Sequence, residues 1–172
     1  MANSTQICNS AVDWARAIAQ DNSHGYDQGS REGPDYDCSS LVSWAYYQAG
    51  LNTRPGGYSP ATSGMYSVFT SAGFSDVTGS VNLQNGAGMK IGDVVLQPGS
   101  HTAIVSNVNS SGATNVINAS INENGDVVGG ATGDQTGTEI WERPYYYHPW
   151  TYCLRYGNGG STGVSLVNWI PA

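Results

Sequence analysis

Residues 33–50 read GPDYDCSSLVSWAYYQAG, and this stretch decides how the rest of the chain is to be folded. Pro34 keeps the segment before it extended. From Cys38 onward, Leu41, Val42, Ala45, Tyr46 and Ala49 recur at helical spacing. That pattern predicts a helix from about Cys38 to Ala49, with Gly50 as its stop. Cys38 therefore stands where a loop becomes a helix. Unpaired N–H groups and the positive end of the helix dipole lie there, a setting expected to stabilise a thiolate and lower its pKa. The Cys38 N–H itself can face a developing oxyanion.

Upstream, Ile7, Ala11, Trp14, Ala15 and Ile18 predict an amphipathic helix over residues 4–20, with Ser4 as its N-cap. Between the two helices, DNSHGYDQGSREGPDYD (Asp21 to Asp37) is a polar, Gly-rich loop, long enough to be functional. Downstream, Met65, Tyr66 and Phe69 point inward from a third predicted helix, Ala61 to Ala72, ended by Gly73. The period then changes to two. Val94–Gln97, Thr102–Asn107, Asn115–Ile121, Glu139–Arg143 and Cys153–Tyr156 are predicted strands, with turns at Pro98-Gly99 and Ser111-Gly112. Helices first and an antiparallel sheet afterwards make an α+β domain. Residues 1–156 are expected to be that domain. GNGGSTG (157–163) reads as a flexible linker, and VSLVNWIPA as the start of a C-terminal segment that is missing or truncated.

Composition narrows the function. Six Lys and Arg against thirteen Asp and Glu give a net charge of −7. Without a basic cluster to neutralise phosphates, nucleic acid is excluded as a partner. Acidity gives no pull toward an anionic membrane or wall either, and no apolar run is long enough to span a bilayer. Three Cys with no CxxC pair leave at least one thiol free. Cys8, inside the first helix, and Cys153, in a late strand, read as core residues. The start MANSTQICNSAVDW has neither a basic region nor an apolar run of the kind that makes a secretion signal. Asp21-Asn22-Ser23-His24-Gly25 lacks the later bidentate Glu of a calcium loop, and His and Cys are too few and wrongly spaced for zinc, so no metal or other cofactor is expected.

A thiol nucleophile needs a base that takes and returns its proton. The candidates are His101, His24 and His148. His101 opens a strand after a tight turn, where sheet geometry can hold the ring over a helix end. His24 sits in the Gly-rich loop and His148 in the aromatic run YYYHPW. The base needs an orienting partner in turn. Asn118, on the next strand, suits that position, with Glu123 and Asp93 as rivals. The Tyr145–Trp150 cluster is either a platform for a sugar face or part of the core and cleft rim.

Taken together, Tyr36-Asp37-Cys38-Ser39-Ser40, Gly92-Asp93-Val94, His101 and Asn118 resemble the NlpC/p60 family of cell-wall cysteine peptidases and its kin among phage endolysin amidohydrolases. His24–Arg31, Gly33–Val42, Gly133–Gly137 and Tyr145–Tyr156 extend the likeness over most of residues 4–156. The resemblance implies a papain-like fold and a peptidoglycan hydrolase that cuts a stem-peptide amide. Cys38 would be nucleophile, His101 base and Asn118 third member. The Tyr36 hydroxyl would join the Cys38 N–H around the oxyanion. Asp37 and Ser39 would grip the substrate's amine, with a simple helix N-cap as the other reading of Asp37. Cleavage after γ-D-glutamate is favoured over cleavage between muramic acid and L-alanine. A non-catalytic wall-binding module and a thiol acyltransferase acting on another protein are the rivals of different class. The enzyme is expected to act on the cell wall as a monomer. It would be released through a holin pore if phage-encoded and secreted otherwise, with a second module supplying wall affinity.

Overall fold

The structure is a computed structural model that describes residues 2–161. It is an α+β domain of three helices and one six-stranded antiparallel sheet. The helices are α1 (Ser4–Ala19), α2 (Cys38–Gln48) and α3 (Thr62–Ser71). The strands are β1 (Phe74–Asp76), β2 (Val94–Gln97), β3 (His101–Val108), β4 (Ala113–Ala119), β5 (Ile140–Pro144) and β6 (Tyr152–Tyr156), in the spatial order β1-β6-β2-β3-β4-β5. The three helices and five of the strands follow the expected positions. The three-residue β1 is too short to show a period and was not expected.

The cap of α1 lies one residue before the expected one. Asn3, not Ser4, accepts the N–H of Gln6, while the Gln6 side chain accepts the N–H of Asn3, a reciprocal capping box. α2 is the central helix. Leu41, Val42, Ala45 and Tyr46 are fully buried among α1, α3 and the sheet. Strand alternation then divides the apolar residues between the two faces. Val94, Leu96, Ile104, Ile117 and Leu154 pack under the helices. Val95, Ala103, Val105, Val116 and Cys153 face the other way, under Met89 and Trp150.

Gly92-Asp93-Val94 has a packing reason. Gly92 has φ 88°, and a Cβ there would stand 2.5 Å from the Tyr46 hydroxyl and 2.8 Å from Cys8 Cβ. The same hydroxyl donates to the Gly92 carbonyl at 2.6 Å. Asp93 is fully buried and accepts two hydrogen bonds from Arg155, at 2.8 and 2.7 Å. Residues 157–161, expected to be linker, are tied to the domain. The Gly160 N–H donates to the Ile91 carbonyl at 2.7 Å, and Ser161 and Asn9 bond each other. The rest of the expected linker and the segment 164–172 lie outside the described residues.

Removing one partner of a buried, hydrogen-bonded ion pair strands the other charge. Asp93→Ala is expected to cost about 3–5 kcal/mol, read by urea unfolding. A loss below about 1 kcal/mol would show that Arg155 escapes to solvent on truncation.

Candidate active site

The site forms where the first turn of α2 meets the start of β3. Asp37 is the N-cap of α2. Its Oδ1 accepts the Ser40 N–H at 2.8 Å and the Ser39 hydroxyl at 2.9 Å, and its Oδ2 accepts Arg31 Nε at 2.6 Å. The guanidinium of Arg31 also donates to Ser39 Oγ and to the carbonyls of Ser59 and Pro60. Both oxygens of Asp37 and the hydroxyl of Ser39 are thus engaged inside the protein, in the arrangement of a cap.

Cys38, 6% exposed, follows as the first residue of the helix. The nearby backbone N–H groups of Thr102 and Ser39 favour its thiolate. Their influence does not prevail. Burial, and then the neighbouring Asp37 charge, push the thiol up to about 12. Burial thus works against the depressed thiol pKa expected at a helix start. A helix N-terminus stabilises a thiolate only where burial does not remove more than the dipole adds.

His101 stands on β3, one residue before Thr102. Tyr146 Oη is 3.0 Å and the Asn118 amide nitrogen 3.2 Å from its Nε2. Asn118, 1% exposed, belongs to β4, where it pairs with Trp141 of β5. The His101 ring stacks on Trp150 with centroids 5.7 Å apart and planes at 19°. Burial first, then the proximity of His148 and Arg143, pull its pKa down to about 4. Tyr146, bonded to His101, also lies within reach of charge on Cys38. Together with the influence of the Thr102 N–H on the thiol, this sets the sulfur near the start of β3, where His101 stands.

The other candidates have partners of their own. His24 Nδ1 is 2.7 Å from the Pro34 carbonyl. His148 packs edge-on against His101 and bonds Gln97 at 2.7 Å. Asp93 is paired with Arg155, and Glu123 accepts the Ala131 N–H within its own loop.

Tyr36 and Tyr26 divide differently from expectation. Tyr36 packs its ring edge-on to Trp14 at 5.7 Å, and its hydroxyl lies over Gly33, within reach of Arg54 and Glu32. It is Tyr26, from the Gly-rich loop, whose hydroxyl senses Cys38. Burial raises its pKa most, and the Cys38 charge comes next. Gln28 donates to that hydroxyl at 3.0 Å.

Buried carboxylates hold Tyr26 in place. Glu139, fully buried, accepts the Tyr26 N–H at 2.9 Å and the Gln135 N–H at 2.6 Å. Asp134 gathers the N–H groups of Thr136, Gly137, Glu139 and Ile140. Asp35 accepts the N–H groups of Gly25 and Gly133, at 2.8 and 3.0 Å. The two loops approach so closely that a Cβ on Gly25 would collide with the Gly133 carbonyl. The Gly133–Gly137 motif, whose part was not readable from sequence, is thus the brace of the Tyr26 loop. Periodicity gives no warning of Tyr26 or Tyr146, because both lie on irregular backbone.

Among the described residues, no group of three or more His, Cys, Asp or Glu is arranged to hold a metal, and no helix is long and apolar enough to cross a membrane.

An α+β domain with a cysteine at a buried helix start and a histidine–amide pair on the facing sheet defines a class of thiol-bearing folds. The chain matches the family model described as Endolysin-like domain over residues 32–112 and 116–161, and it belongs to that family. The family's name points to enzymes that hydrolyse bacterial peptidoglycan. No curated protein matches the chain.

Burial thus favours the neutral thiol and the neutral imidazole. The acid form of Cys38 persists until the pH nears its raised pKa. Alkylation of Cys38 by iodoacetamide, followed by site-resolved mass spectrometry, is expected to be slow near neutral pH and to rise roughly tenfold per pH unit above it. A rate plateau from about pH 5 to 8 would instead mark a resting thiolate–imidazolium pair, and would contradict this reading.

Proposed function

We infer that the domain is a cysteine-dependent peptidoglycan hydrolase of the NlpC/p60 type, with Cys38 as nucleophile, His101 as base and Asn118 in the orienting group. The observation that carries the reading is the junction of α2 and β3. The Thr102 N–H lies near enough to Cys38 to favour its thiolate, while the neighbouring His101 turns Nε2 to Tyr146 and Asn118. Nε2 being occupied, Nδ1 is the nitrogen left to serve the thiol. His101 takes the proton of Cys38 as the sulfur attacks an amide carbonyl. It then gives that proton to the leaving amine, and water releases the acyl-enzyme.

The oxyanion would be met by the Cys38 N–H and by the Tyr26 hydroxyl, in place of Tyr36. Asp37 and Ser39, with Arg31, serve by fixing the helix start rather than by gripping the amine. Family membership supports peptidoglycan as the substrate. The likeness to NlpC/p60 peptidases favours the bond after γ-D-glutamate in the stem peptide. A second module reached through the C-terminal segment would supply wall affinity, and a holin pore would give access to the wall.

Purified sacculi test the reading. Cys38→Ala is expected to abolish solubilisation, and continued clearing by this variant sinks the cysteine mechanism. Mass spectrometry of the wild-type digest should find new free amines on the diamino acid. A freed L-alanine amine would assign the amidase reaction instead. Removing an oxyanion donor typically costs about 10²- to 10³-fold in kcat. Tyr26→Phe is expected to lose activity on that scale, whereas Tyr36→Phe should stay near wild type. The opposite ranking would return the oxyanion role to Tyr36.

A further inference from the structure

If Nδ1 of His101 is to accept the thiol proton, the neutral ring must carry its own proton on Nε2. That N–H needs an acceptor. Two groups stand at Nε2: Tyr146 Oη at 3.0 Å and the Asn118 amide nitrogen at 3.2 Å. The amide nitrogen is also 2.8 Å from Oη, while Asn118 Oδ1 is buried without a partner. With its nitrogen toward the ring, the amide sets an N–H against an N–H and leaves its carbonyl unused. Turning the amide over, which changes no shape, brings Oδ1 within reach of the Tyr146 hydroxyl. The hydroxyl then donates to Asn118 and keeps a lone pair for the His101 N–H.

We propose that Tyr146 is the positioning residue that receives the Nε2–H of His101, and that Asn118 acts mainly through it by fixing its hydroxyl. This rests on the cysteine-hydrolase reading above. Its surroundings hold Tyr146 for the task. The Arg143 guanidinium lies 3.9 Å over its ring, and Trp150, which stacks on His101, has its own ring 5.9 Å from Tyr146. Asn118 reaches the hydroxyl from β4, next to the strand that leads into Tyr146.

A neutral phenol directs the ring without bringing a negative charge to it. The groups around His101 are Asn118 from β4, Arg143 from β5, and Tyr146, His148 and Trp150 from the segment after it, with Cys38 of α2 added by the cysteine-hydrolase reading. None is a carboxylate. His148, held by Gln97 of β2, adds no anion either. The proton on Nε2 never leaves it. Only Nδ1 gains and returns a proton during the reaction.

The test compares Tyr146→Phe, Asn118→Ala and the double variant in the full chain. The readouts are kcat and KM on sacculi against pH, the active fraction by thiol titration, and Tm. Losing an orienting partner of a working histidine typically costs about 10- to 100-fold. Tyr146→Phe is expected to lose that much in kcat with KM unchanged. The acid limb of kcat/KM should move to lower pH, because the imidazolium loses its acceptor. Asn118→Ala should lose less, and the double variant should be no worse than Tyr146→Phe, as expected of two residues acting through one bond.

A Tyr146→Phe enzyme within about twofold of wild type overturns the proposal, as do losses that multiply independently. A lowered active fraction or Tm with an unmoved acid limb assigns Tyr146 a structural part only, and also overturns it. Cys38→Ala separates the two levels. If it is inactive while Tyr146→Phe is unimpaired, only the positioning role falls. If it still solubilises walls, the cysteine reading falls and the role of Tyr146 goes with it.

Discussion

A helix that begins inside a protein must find partners for its first N–H groups there. α2 begins in this way, with Cys38, Ser39 and Ser40 all buried. Water cannot supply the acceptors, so the carboxylate of Asp37 does. A buried carboxylate needs compensation in turn, and Arg31 gives it at 2.6 Å. Arg31 belongs to the Gly-rich loop and also holds the carbonyls of Ser59 and Pro60. One cap therefore orders the segments on both sides of the cysteine. Placement of the sulfur follows from satisfying the helix end, before any chemistry is considered.

The same rule organises the opposite wall of the site. Asp35, Asp134 and Glu139 are buried acids whose acceptors are filled by backbone N–H groups rather than by Lys or Arg. Irregular backbone has donors to spare, and these carboxylates collect them across two loops far apart in sequence. Tyr26 is delivered by this arrangement, since its own N–H ends on Glu139. An acidic chain with few cations thus spends part of its negative charge on folding its loops. Glu32 illustrates the point. It accepts from Trp44, Arg54 and both donors of Ser59, and so braces the far side of the Arg31 loop.

These two patterns explain what the sequence disclosed. The helices and most strands were legible because each buries one face at a fixed period. The place of His101 at a strand start was legible because a tight turn leaves little freedom for its backbone, and that of Asn118 because it falls on the adjoining strand. Tyr26 and Tyr146 were hidden, as both lie on irregular backbone set by contacts more than 25 residues away in sequence. The burial of Cys38, which opposes the helix dipole, was hidden for a related reason. A loop–helix junction reveals the dipole, while the strand that buries it is distant in sequence. Asp37 could be read as cap or ligand, and only its partners separate the two.

The neutral thiol and neutral imidazole that result place a specific demand on the pocket. Burial disfavours charge separation at rest, so on the cysteine-hydrolase reading it would occur as the sulfur attacks, when charge passes on to the substrate's oxygen. A carboxylate behind His101 would favour the imidazolium throughout. An amide and a phenol orient the ring without doing so. On that reading the cost would be a weaker base, and the return a thiol kept largely protonated, and therefore slow to oxidise, until a substrate arrives. For an enzyme expected to work outside the reducing interior of a cell, an uncharged buried thiol is a physically coherent resting state.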